Sequence, residues 1–152
     1  MQVANDDQGS MQMAGRTDFS DDEWNTLHRG LTGAGLWVAI SERGFSSTFK
    51  ETGALASFMA HQSKEAGSQL VRELASTKGT GWGVSSSSEE LRQGTLAALK
   101  ESLTLLAAKD PDDLADYRDA VRSLATKVSE AAKGGDDVEA GVIAEINAAL
   151  AG

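Results

Sequence analysis

From Ser20 onward the chain sets apolar residues three and four positions apart, the spacing of helices that bury one face. Trp24, Leu27, Leu31, Ala34 and Val38 make a first stripe. Leu55, Phe58, Met59, Ala66, Leu70 and Leu74 make a second, running to about Ser76, with the polar run His61 to Glu65 leaving room for a kink or a solvated turn. Leu91, Thr95, Leu99, Leu103 and Leu106 form a third, Leu114, Tyr117, Val121, Leu124, Val128 and Ala131 a fourth, and Val138, Val142, Ile146 and Leu150 a fifth. No segment sustains the alternation of a strand. The pattern predicts an all-α protein, a single helical bundle of about five helices.

Start and stop signals fall where these stripes need them. Capping boxes, in which a hydroxyl and a carboxylate three residues on satisfy each other's free amides, are read at Ser20/Glu23, at Thr48/Glu51 and at Ser86/Glu89 or Ser87/Glu90. Asp110-Pro111-Asp112-Asp113 reads as an N-cap, a proline at the first helical position and two acids on the positive end of the helix dipole. Gly44 and Gly134-Gly135 close helices, and residues 77 to 88, rich in Gly and Ser, form the long internal loop. Gly30, Gly33 and Gly35 inside the first stripe each cost up to about 1 kcal/mol of helix propensity. They predict close approach of a neighbouring helix or a local break. Residues 1–18 carry no periodicity and read as a disordered N-terminal lead, which leaves 19–152 as the helical domain.

Composition sharpens this picture. Among 152 residues, Leu, Ile, Val and Phe number about 30 while 23 are Ala, so the bundle must pack with few bulky side chains per contact. Fourteen basic against 23 acidic residues give a formal charge of −9, which opposes a nucleic acid as partner. The absence of Cys excludes disulfides and thiolate chemistry. Asp6 and Asp7 stand where a secretory signal would be basic, and no uncharged apolar run approaches the ~18 residues of a membrane span, so a cytoplasmic protein without membrane insertion is expected.

Two stretches resemble a known family. Glu23-Trp24, then Val38-Ala39-Ile40-Ser41-Glu42-Arg43-Gly44 running into Lys50-Glu51, resembles the first helical hairpin of TerB-like (tellurite-resistance-type) all-helical domains. Tyr117-Arg118, Val121, Leu124-Ala125, Val128, Ala131-Ala132 and Gly134-Gly135, followed by Val138 to Leu150, resembles the closing hairpin. The resemblance spans about residues 19–152. It implies a pseudo-repeat of two helical hairpins, a stress or tellurite-resistance-type setting, and acidic residues at the turns that bind a divalent metal. Here Glu42 or Ser41 occupies the usual Asp position, and Val142 stands near where a second acid is expected.

The candidate chemistry is sparse. The acid groups Asp21-Asp22-Glu23, Asp110-Asp112-Asp113 and Asp136-Asp137-Glu139 offer hard oxygen ligands, but each sits in a first helical turn, where capping alone favours it. The best cation site combines Glu42, Glu51 and Asp137 across the two Gly turns and would take a divalent cation such as calcium. His28 and His61 lie at similar distances from the turn near residue 44 and could meet across an antiparallel hairpin, yet two histidines without a third ligand fall short of a zinc site. Lys78 to Gly83 match neither phosphate-loop pattern, and no Gly-x-Ser-x-Gly is present. Trp82, an aromatic in a loop, is the candidate anchor for a protein partner. The sequence therefore predicts no enzyme and no resident cofactor. It predicts a small acidic module that binds a protein partner, with a divalent-cation sensor or buffer as the alternative.

Overall fold

The computed structural model describes residues 16–41, 45–79, 81–82, 87–131 and 137–151, of which 41, 45–52, 88, 131 and 137–139 are described by backbone alone. Among them the helices are α1 (Asp21–Ser41), α2 (Phe45–Glu65), α3 (Gln69–Ser76), α4 (Ser88–Lys109), α5 (Leu114–Ala131) and α6 (Asp137–Ala151), with 3-10 turns at Arg16–Asp18 and Pro111–Asp113. No strand occurs among the described residues, and the protein is an all-α bundle. No helix among them is long and apolar enough to cross a membrane.

The predicted stripes are the core. Leu27, Leu31, Ala34 and Val38 of α1 are buried with Leu99 and Leu106 of α4, Tyr117, Val121, Leu124 and Val128 of α5, and Val142, Ile146 and Leu150 of α6. Helix α1 is the axis of the fold, packing most extensively on α4 and also on α2, α5 and α6. It comes close because it lacks side chains where the others press in. A Cβ on Gly30 would lie 2.6 Å from the Tyr117 Oη, one on Gly33 would lie 2.3 Å from the Thr95 Oγ1, and one on Gly35 would lie 3.1 Å from Leu124 and Leu55. Close approach is thus the reason for the three glycines, and α1 runs through them unbroken.

The second stripe divides. The chain leaves helix at Ala66 to Ser68 and restarts as α3, with the Ser68 hydroxyl accepting from the Val71 amide at 3.2 Å, so the polar interruption marks two helices rather than one. Helix α2 opens at Phe45, which places Thr48 and Glu51 inside the helix instead of at the predicted cap, while residues 42–44 lie outside the described residues. The other boxes form as read. The Glu23 amide donates to the Ser20 Oγ at 3.1 Å and the Ser20 amide to Glu23 at 2.9 Å, and Ser87 and Glu90 repeat the arrangement. Of the expected lead, residues 1–15 lie outside the described residues. Arg16–Asp18 instead form a turn whose Arg16 amide donates to Glu73 of α3 at 2.6 Å, with Phe19 buried just behind it.

Candidate functional site

The predicted cation site cannot be assembled from the described side chains. Glu42 lies outside the described residues, and Glu51 and Asp137 are placed by backbone alone, on α2 and at the start of α6. Among the described residues no three acidic or histidine side chains gather to hold a metal ion. Nor do the histidines meet. His28 is buried beneath the segment that follows α3, where desolvation lowers its pKa below the ordinary imidazole value and a backbone hydrogen bond with Thr77 partly opposes that shift. Its Nε2 is enclosed without a hydrogen-bond partner. His61 is exposed on α2, beside Ser123 and Lys127 of α5.

Trp82 is engaged inside the chain. Its ring enters the slot left by two glycines, since a Cβ on Gly33 would lie 2.9 Å from it and one on Gly94 2.5 Å. The Arg29 guanidinium stacks 3.9 Å from the ring centroid, the indole N–H donates to the Arg29 carbonyl at 3.3 Å, and the Arg29 Nη1 donates to the Gly81 carbonyl at 2.6 Å. Gly79 and Gly81 take positive φ angles of 76° and 81°, which only glycine adopts without strain, and so turn the chain back over α1. The ring that the sequence offered as an anchor for a partner thus fastens the loop to the α1–α4 contact.

A group missed by the sequence reading lies between α4 and α5. Asp110 and Asp113, read there as an N-cap and a dipole acid, are both buried, and the Asp110 side chain makes no capping bond. Instead desolvation, and after it the neighbouring Asp113 carboxyl, raise the Asp110 pKa from 3.8 to about 7, and the Oδ2 atoms of both residues are enclosed without a hydrogen-bond partner. The Ser68 hydroxyl donates to the Asp113 Oδ1 at 3.1 Å, tying the pair to the cap of α3. A proton held on Asp110 avoids burying two like charges side by side. At 7% exposure each, these groups lock three helix ends together rather than face a substrate.

An open concavity runs along the seam between α2 and α5. Two hollows of about 150 and 500 Å³ share Phe58, Gln62 and Ser123 and so run on from one another. Asp116 and Asp119 line the first, toward the α2–α3 break, while His61 and Lys127 line the second. The eleven helical steps from Asp116 to Lys127 span about 16 Å. The seam therefore has a buried floor at Phe58, small polar walls, an acidic end and a basic end. The polar run His61 to Glu65 was its only trace in the sequence.

The fold and this seam define a helical bundle with a polar-ended groove. Comparison with family models, with curated proteins and with solved structures found no match to this chain.

Proposed function

We propose that this protein is a non-catalytic binding module that receives a segment of a protein partner in the α2–α5 groove. The observation that carries the reading is the groove's charge order, with Asp116 and Asp119 at one end and Lys127 with His61 at the other, over a floor containing Phe58. A segment of about three helical turns fits that length. Its basic residues would lie toward the acids and its acidic residues toward Lys127, and charges so arranged select orientation more than they add affinity. The described polar groups support binding rather than turnover: His28 is enclosed, the Asp110–Asp113 pair is enclosed, and His61 stands apart from both. The TerB-like spacing of Val38 to Gly44 is the pointer toward a stress or tellurite-resistance-type setting.

Reversing both ends with Asp119→Lys and Lys127→Glu tests the reading, since both side chains are exposed and thermal unfolding should shift only by the small contribution of the exposed Asp119–Arg122 ion pair. A partner captured by the native chain should be lost by the double variant. Equal capture removes the groove from the account, and a turnover abolished by replacing one histidine or acid replaces binding with catalysis. Calorimetric heat with millimolar Ca²⁺ that disappears on changing Glu51 or Asp137 would move the account to a cation sensor.

A further inference from the structure

A second cleft lies on another side of the bundle, where α4, α5 and α6 meet. It encloses about 440 Å³, within the range of small-molecule sites. Its walls include Leu103, Leu114, Ala148 and Ala149, and the small alanines of α6 provide the room. Its two charged groups are Lys100 of α4 and Arg118 of α5, and among the described residues no acidic side chain lines it.

With a net charge of −9, acids are abundant, and elsewhere Arg92, Arg122 and Lys109 each pair with one. Lys100 has Leu96, Ala97, Leu103 and Thr104 at helical ion-pair spacing, and Arg118 has Leu114, Ala115, Val121 and Arg122, so neither has an acid within reach along its own helix. Arg118 is half-buried, with its Nε enclosed and without a hydrogen-bond partner. A half-buried guanidinium whose Nε lacks an acceptor, beside a second cation and above an apolar wall, matches an anion that carries a hydrocarbon body.

We infer that the α4–α5–α6 cleft binds a small amphiphilic carboxylate, with Arg118 and Lys100 holding the carboxylate and Leu103, Leu114 and the α6 alanines covering the chain. This site is separate from the α2–α5 groove and stands or falls independently of it.

The test is calorimetric titration of the full chain with decanoate below its micelle concentration, with decanol and inorganic phosphate as comparison probes. Decanoate should bind saturably at one site, and Arg118→Met or Lys100→Met should weaken it by about tenfold or more, the scale of one charge-assisted hydrogen bond. Ala148→Trp, which fills the cleft and leaves both cations, should abolish binding. Decanol and phosphate should each bind at least about tenfold more weakly than decanoate, because one lacks the charge and the other the chain. Lys100 is exposed, so its variant carries the test if Arg118→Met unfolds. Absence of saturable decanoate binding, equal binding of decanol, equal binding of phosphate, or retention of binding by Ala148→Trp overturns the inference.

Discussion

Asp110→Asn is the most informative perturbation of the fold, because the amide imitates the protonated carboxyl and removes its titration. In the native chain the Asp110 pKa rises from 3.8 to about 7 through burial and the neighbouring Asp113 carboxyl. At about 1.4 kcal/mol per pH unit that interval is worth at most about 4 kcal/mol. For a group whose folded pKa is raised, the stabilising contribution is complete below pH 3.8 and is lost as the pH climbs through about 7. Linkage then places about 3 kcal/mol of relative change between pH 5 and 8.5. His28 acts in the opposite sense, because its folded pKa is lowered, so its contribution is present above 6.5 and is lost as the pH falls below that value. Both proteins contain His28, and taking the difference between them at each pH removes it. Urea denaturation of the native chain and Asp110→Asn at half-unit steps from pH 5 to 8.5 is the assay. The variant should gain on the native chain as pH rises to about 7, hold that gain beyond it, and be the more stable of the two at pH 8.5. A difference that stays constant across the range, or a native chain that gains on the variant above pH 6.5, would refute a proton held on Asp110 in the folded chain.

Four further outcomes follow from the packing and burial described above. Gly33→Ala should destabilise by about 1–3 kcal/mol, since its Cβ meets the Thr95 Oγ1 and the Trp82 ring, and urea midpoints should show it together with altered Trp fluorescence. Gly53→Ala, on exposed helix with nothing within 4 Å, should instead stabilise by up to about 1 kcal/mol. The Tyr117 hydroxyl donates to the Leu27 carbonyl at 2.7 Å and sits 2.6 Å from where a Gly30 Cβ would stand, so Gly30→Ala should cost less in a Tyr117→Phe background than alone. A double-mutant cycle with strictly additive costs would contradict that geometry. Finally, His28→Asn in the Asp110→Asn background should flatten the loss of stability between pH 6.5 and 5, which thermal unfolding reads directly.

The helices were legible because burying one face of a helix forces a period that local sequence records. Four of the five stripes became single helices, and the break at Ala66 to Ser68 was foreshadowed by the polar run before it. The crowding at Gly30, Gly33 and Gly35 was legible in kind, since glycine that weakens a helix needs a compensating contact, but its partners were not. Tyr117, Thr95 and Leu124 come from distant helices. Asp110 and Asp113 misled for a physical reason. An acid beside a proline at a helix start is stabilised by the dipole whether it faces water or the core, so sequence cannot tell a solvated cap from an enclosed pair. Trp82 likewise reads as a loop aromatic until Gly33 and Gly94, on two different helices, are seen to leave a slot for it. Of the candidate site, His61 was visible and the groove was not, because its opposite wall is supplied by Asp116 to Lys127.

The central claim is that the α2–α5 groove receives a protein segment, and a photo-crosslinking residue at position 123, where the two hollows join, tests it most directly. In cells expressing this chain, position 123 should give a discrete adduct that vanishes when Lys127→Glu and Asp119→Lys are added, while the same probe at exposed Asn147 gives none. No adduct at 123, or one indifferent to the reversed charges, would contradict the account.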